Sequence, residues 1–205
     1  MDGVIFSMQK TVFLDNIKQF KNRDDKSVYN LADFDKAVLE LEKEHVMKLP
    51  ELILILFYAQ KEQPIKGMIL LMKEIFLMQM EFAKEEKIKI QDANFISYKY
   101  GPYSVDVDKV IESMEIYGLI ISKGRKSSNK EIFYLTDYGK KRAKEQFEKL
   151  NTQQQLKLKD LRKGWDQLGV KGILKYVYSN YQNFIDKSEI KKQVLKQKEV
   201  YRMRG

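Results

Sequence analysis

Two adjoining stretches carry charge of opposite sign and could do different chemistry. Ser104–Gly118 holds Asp106, Asp108, Glu112 and Glu115 against Lys109 alone, whereas Lys123–Lys130 holds Lys123, Arg125, Lys126 and Lys130 with no acid among them. The basic side chains, with Ser127, Ser128 and Asn129 as hydrogen-bond donors, suit phosphate oxygens, which such groups hold without reading a base sequence. The acidic stretch does not: laid in a groove of DNA it would bring four carboxylates near phosphates, so it points instead to a solvated face or a basic protein.

Catalytic chemistry finds little material. The chain has no cysteine and one histidine. His45 shares an apolar helical face with Phe34, Val38 and Leu41, at i, i+4, i+7 and i+11, which marks a packing residue. A Ser-His-Asp or Cys-His arrangement cannot be assembled from this inventory, nor can an ordinary zinc site. Asp24–Asp25 and Asp106–Asp108 are paired carboxylates in polar stretches with no second group held opposite them. No phosphate-cradling glycine loop and no nucleophile elbow occurs. The expectation is a non-enzymatic protein with no cofactor and no metal.

The net charge of +9 is unevenly placed. Residues 1–50 and 51–120 are slightly acidic, whereas 121–149 hold nine basic residues against four acidic ones, and 187–205 hold seven against two. A field confined to one part of the chain favours a polyanionic partner, double-stranded DNA first, or an acidic protein surface. The absence of cysteine and of a signal-like start suggests a cytoplasmic protein. Abundant lysine and glutamate resemble the composition of heat-adapted proteins. The most apolar tract, Leu49–Met80, is broken by "QKEQPIKG" and by Lys73–Glu74, so it predicts a buried helix pair and no membrane partner.

The pattern predicts a mainly α protein with a small β component. A strand or extended piece at Val4–Phe6 and helices from Met8 and from Leu31 make an N-terminal extension, residues 1–48. Pro50 and Glu51 open a nearly all-apolar helix, and "QPIKG" turns into a longer one over 66–87. Its methionines at 68, 72, 78 and 80 read as core filling. "ANFISYKYGPYS" alternates as a strand ending at a Gly101–Pro102 turn. Ser104 caps a helix whose Val107, Val110, Ile111, Met114 and Gly118 share one face. "GLIIS", "GRKSSNK" and "EIFYLT" read as strand, loop and strand, and Thr136 caps a further helix. The C-terminal region, 151–205, reads as a helix broken at Gly164 and Gly169, then "KGILKYVYSNYQNF", then a helix capped by Ser188. Three helices, a hairpin with a basic loop and a helix make the order of a winged helix-turn-helix core over 49–150.

The texts "KYGPYS", "MEIYGLI" and "ILKYVYSNYQNFIDKSEI" give the chain a resemblance to the SocA-like, or Panacea-type, antitoxin and adaptor proteins and to the neighbouring YwgA-like proteins. The likeness covers about Leu49–Ile190. Its best markers are Lys73, Tyr100, Gly101, Pro102, Tyr103, Tyr176, Tyr178 and Tyr181. The resemblance implies a small, mostly helical module that binds proteins or takes part in toxin neutralisation.

Two functions are therefore expected. In the first, a winged-helix transcriptional regulator holds double-stranded DNA through Lys123, Arg125, Lys126, Ser128, Lys130, Lys140, Lys141 and Arg142, with Lys191, Lys192, Lys196 and Arg202 as an outer ring. In the second, an antitoxin-like or adaptor module binds a protein partner, a toxin or a regulator, through Tyr100, Pro102 and Tyr103 or through Asp106, Asp108 and Glu112. Homodimerisation through the C-terminal helices would suit a palindromic DNA site.

Overall fold

In the computed structural model of the chain, residues 46–126 and 130–196 are described. The strand expected at Val4–Phe6, the helices expected from Met8 and Leu31 with His45, and the candidate residues Ser128 and Arg202 lie outside them. The described residues belong to one unit, His45–Gly205.

Helix α1, Leu49–Ala59, starts where Pro50 presets the backbone and the Glu51 carboxylate accepts the Lys48 N–H at 2.7 Å. Every residue from Leu52 to Phe57 is buried, so α1 is the central rod of the core. Strand β1, Ile65–Lys66, follows within the segment expected to be only a turn. Helix α2, Met68–Leu77, runs on through a π-helical stretch, Met78–Phe82, into a last turn, α3, Ala83–Glu85. Met72 and Met78 are buried and Met68 and Met80 are packed against the core, as core filling requires.

Strands β2, Ile96–Tyr98, and β3, Gly101–Tyr103, form an antiparallel hairpin. Gly101 and Pro102 belong to its second strand, and the reversal is made by Lys99 and Tyr100, two residues earlier than expected. Gly101 adopts φ 82°, a conformation open to glycine, directly after the two-residue loop. Helix α4, Val105–Ile116, is capped by the Ser104 hydroxyl, which accepts the Val107 N–H at 3.0 Å, and it buries Val107, Ile111 and Met114.

Strands β4, Ile120–Lys123, and β5, Ile132–Leu135, pair antiparallel, and β1 adds to the other side of β5 in the order β1-β5-β4. The reason β1 escapes a sequence reading is its length: two residues have no period to detect. Helix α5, Asp137–Phe147, is capped by Thr136, whose hydroxyl accepts the Gly139 N–H at 2.9 Å and donates to the Gly118 carbonyl.

Helix α6, Thr152–Asn180, passes Gly164 without a break and kinks at Gly169, where φ is 57° and ψ −173°. It ends at Asn180, so "YQNF" leaves the expected helix for a single 3-10 turn, Gln182–Phe184. Helix α7, Lys191–Lys196, begins three residues after Ser188. The described architecture is thus mainly helical with two small antiparallel sheets. Among the described residues no helix is long and apolar enough to cross a membrane.

Candidate docking surface and the charges beneath it

The β2–β3 hairpin has two unlike faces. The two-residue period of a strand puts Ile96, Tyr98 and Tyr103 on one side and Ser97 and Pro102 on the other. The first side looks outward: Ile96 is 53% and Tyr98 45% exposed, and the Tyr98 and Tyr103 rings lie 5.1 Å apart. Tyr100 in the loop and Val105 at the start of α4 are also exposed.

The other side is clamped from below. Lys73 on α2, 2% exposed, donates from Nζ to the Pro102 carbonyl at 2.7 Å. Tyr178 on α6 presses its ring so close to Gly101 that a Cβ there would stand 2.9 Å from Cε2. The Tyr178 hydroxyl pairs with Ser188 Oγ at 2.6 Å, and Ser188 Oγ in turn donates to the Lys99 carbonyl at 3.0 Å. Lys187 donates its N–H to Ser97 Oγ at 2.9 Å, and Glu189 its N–H to the Lys99 carbonyl at 3.0 Å. Residues 187–189 therefore strap the hairpin to the second half of α6.

The π-helical stretch positions two further anchors. Gln79 accepts the Ala93 N–H and donates to Asp92, fixing the loop that enters the hairpin. Glu81 Oε1 accepts from the hydroxyls of both Tyr176 and Tyr181, at 2.7 and 2.8 Å, which ties the helix after the Gly169 kink to α2. Phe76 completes the support with edge-on contacts to Phe95, Tyr181 and Phe184. Lys73, Gly101, Pro102, Tyr176, Tyr178 and Tyr181, all markers of the resemblance, converge on this support and not on the exposed face.

Next to Lys73 lies a buried ionic trio. Arg162 on α6 is wholly buried, and its Nη1 reaches both Glu74 Oε1, at 3.3 Å, and Asp166 on the next turn. Arg162 Nε and Nη2 and Glu74 Oε2 are buried without a hydrogen-bond partner. Burial pushes the Glu74 carboxyl up to about 8 against the pull of the guanidinium, and burial brings the Lys73 ammonium down to about 7. The two act oppositely on stability. Glu74 keeps its proton longer in the folded state, so its stabilising contribution is present below about pH 4.5 and is lost as pH rises through 8. Lys73 loses its proton earlier, so its contribution is present above about pH 10.5 and is lost as pH falls through 7. A series of urea denaturation curves from pH 5 to 10 is expected to show a dip in stability around pH 7 to 8, with Glu74→Gln removing the acid limb and Lys73→Met the alkaline one. A flat profile in the wild-type chain contradicts both assignments.

The acidic residues of α4 are mostly engaged. Asp106 accepts from Asn94 Nδ2 at 2.7 Å, and Asp108 accepts the Tyr103 hydroxyl at 2.9 Å, which with burial raises the tyrosine to about 12. Glu115 meets Lys126 at 3.7 Å, so the basic loop and the acidic helix contact one another across their charge difference. Glu112 is exposed on the outer side of α4.

The candidate phosphate-binding residues among the described ones lie on β4 and its loop, on α5 and on α7. Lys123 lies over the Tyr134 ring at 5.4 Å, and Arg125, Lys126 and Lys130 are exposed in the β4–β5 loop. Lys140 pairs with Glu62 and Asp137, and Arg142 with Glu145, while Lys141 is exposed on α5. Lys191 pairs with Asp186, and Lys192 and Lys196 are exposed on α7, beside the hairpin strap. The loop thus sits by the last turn of α4, and the 187–196 segment by the hairpin that precedes its first turn.

Sequence reasoning missed the apolar residues that the fold leaves outside. Ile116 and Tyr117 end α4 at 77% and 74% exposure, and Tyr138 at the start of α5 is 54% exposed. The bond between Thr136 and the Gly118 carbonyl, and the close approach of Gly139 to Leu119, bring these two ends to the same corner. The available signal was that Ile116 and Tyr117 fall off the Val107–Ile111–Met114 stripe. Compared with protein-family models, with curated proteins and with solved structures, the chain gives no match.

Proposed function

We propose that the chain is a non-enzymatic protein-docking module, antitoxin-like or adaptor-like in action, that binds a basic protein through the outward face of the GPY hairpin and the acidic side of α4. The observation that carries this reading is the asymmetry of the hairpin. Its inner side is fixed by a buried lysine, a glycine–tyrosine contact and the 187–189 strap. Its outer side presents Ile96 and Tyr98 to solvent, with the half-buried Tyr103 beneath them beside Asp108. Rigid aromatic anchors near carboxylates suit the guanidinium and ammonium groups of a partner, through both ring face and charge. The reading also accords with what the resemblance implies.

The frame that holds this surface reads best as a winged-helix core. Its support is the order of α1, β1, α2, α4, β4, β5, with β1 beside β5 and the β4–β5 loop as the wing. DNA binding remains the second reading, favoured by the exposed Lys123, Arg125, Lys130 and Lys141 and by the basic C-terminal part of the chain. Against it stands α4: its Glu115 already engages Lys126 of the wing, and a duplex approaching there would compete with that pair beside a helix of net negative charge, which DNA's charge density makes costly.

One pair of experiments separates the two readings. Full-length chain purified from its own cells is expected to bring down a protein partner, and Tyr98→Ser or Glu112→Lys to release it. Both positions are exposed, so neither change threatens the core. On a random-sequence duplex titrated from about 50 to 300 mM salt, the protein is expected to bind weakly or not at all. A steep log–log slope of several released counterions, lost in the Arg125→Glu, Lys130→Glu variant, overturns the docking reading in favour of DNA.

A further inference from the structure

The outer side of α4 is apolar at both ends and charged between them, where three acids, Asp108, Glu112 and Glu115, outnumber Lys109. Val105, 48% exposed, follows the hairpin by two residues, while Ile116 and Tyr117 end the helix and exposed Tyr138 opens α5, whose cap residue Thr136 bonds the Gly118 carbonyl there. Between them Glu112 and Lys109 are exposed, with Asp108 and Glu115 half-buried alongside. From Val105 to Ile116 is eleven residues, about 17 Å along the axis at 1.5 Å per residue. Residues 105, 109, 112 and 116 follow the helical repeat and form a single ridge, a shape that receives the groove of another helix.

A strand is a poorer guest. At the hairpin's β2 side, Ser97 and Lys99 are taken by the 187–189 strap, and at β3 the Pro102 carbonyl is taken by Lys73. The strap holds the Ser97 hydroxyl and the Lys99 carbonyl along this flank, and the Pro102 carbonyl is taken on the other, so an added strand would have to displace the strap or forgo these groups, which weakens strand addition.

We infer that the docking surface seats one amphipathic, basic helix of the partner, with apolar residues about three turns apart resting on the hairpin end and on the Ile116–Tyr117–Tyr138 corner, and with lysine or arginine over the acidic middle. This rests on the docking reading above and adds the guest's form: a helix, two anchors, positive charge between. Charge complementarity commits the choice. A helix with the same apolar spacing and an acidic middle would meet Glu112 and Asp108 with like charge, whereas Lys109 and the Lys126 partner of Glu115 offset only part of the acidic excess. The two apolar ends alone are too small and too far apart to hold a neutral guest firmly, since binding energy concentrates in a few well-buried anchors.

The probe is a displayed library of 18-residue helix-forming peptides, panned against the full-length chain. Enriched peptides are expected to carry apolar residues about eleven positions apart with net positive charge between them, in keeping with the axial rise of a helix. Each of two variants, Tyr98→Ser and the pair Ile116→Ser, Tyr117→Ser, is expected to weaken these peptides about tenfold or more, the scale of losing one hot-spot anchor. Glu112→Lys is expected to weaken them as well, with thermal unfolding of all three variants matching the parent. Peptides that depend on Tyr98 but are indifferent to Ile116 and Tyr117 overturn the two-anchor helix while leaving the hairpin as a docking site. Peptides indifferent to all three variants, or no enrichment of basic sequences over acidic ones, overturn the docking reading itself.

Discussion

Gly139→Ala is expected to destabilise the protein by about 3 to 4 kcal/mol, the sum of an overpacked contact and the loss of a helix cap. A Cβ at this position would stand 1.8 Å from the Leu119 carbonyl oxygen, which is backbone and cannot swing aside. Helix α5 and the α4–β4 turn would have to part by more than an ångström. That movement strains three bonds at once: Gly139 N–H to Thr136 Oγ1, Thr136 N–H to the Leu119 carbonyl, and the Thr136 hydroxyl to the Gly118 carbonyl. In a chain of this size the melting temperature should fall by roughly 10 °C. Gly164→Ala is the control, since a Cβ there meets nothing within 4 Å and the helix gains a better former. Calorimetry showing the two variants alike would mean that the α5–turn contact is looser than described.

Asp166→Ala is expected to cost about 3 kcal/mol and Glu74→Gln about 1 kcal/mol or less at pH 7, because a buried guanidinium left without a counter-charge cannot shed its proton, whereas a carboxyl can keep one. Arg162 has two carboxylates on Nη1 and none on Nε or Nη2. Burial pushes Glu74 up to about 8, so its carboxyl neutralises Arg162 only in part at pH 7. Glutamine at 74 keeps an oxygen for Arg162 and mimics the protonated acid. Arg162→Met removes the only permanent charge of the trio and lets Glu74 stay neutral, so it should fall between the two. Equilibrium urea unfolding of the three variants tests the order, and Glu74→Gln costing more than Asp166→Ala would show that Glu74 is the principal counter-charge to Arg162.

Much of the helical frame was legible. Ser104 and Thr136 announced the starts of α4 and α5 by chemistry that the structure repeats as cap bonds. Val107, Ile111 and Met114 gave the buried side of α4 by spacing alone. What stayed hidden was either too short to show a period or dependent on residues far apart in the chain. Gly-Pro reads as a reversal, and here the reversal is made by the two residues before it while Gly101 takes the unusual φ as the strand resumes. The π-helical stretch at Met78–Phe82 has the same apolar text as an α-helix, so the rotation that aims Glu81 at Tyr176 and Tyr181 leaves no trace in it.

The candidate site was less legible than the frame. Tyr100, Pro102, Tyr103, Asp106, Asp108 and Glu112 do gather around one hairpin and one helix. Pro102, though, is buried, and Asp106 and Asp108 are already hydrogen-bonded within the chain. Arg162 sits in "LKLKDLRKGWDQL", a run that reads as a solvated face, and only the packing of α6 on α2 reveals it as buried. The apolar corner at Ile116 and Tyr117 lies off the core stripe, which is the very reason it remains outside.

The strap over the hairpin also sets a clock on synthesis. Ser97 and Lys99 wait for Lys187 and Ser188, which follow them by 90 and 89 residues in the chain. At about 5 to 20 residues per second, a ribosome makes the partners of the hairpin roughly 5 to 18 seconds after the hairpin itself. Until then the docking face lacks its outer brace and its link to Tyr178. A partner meeting the growing chain would find the core helices first and the finished surface only once residues 187–189 have been made, so the complex proposed above forms after the strap is in place.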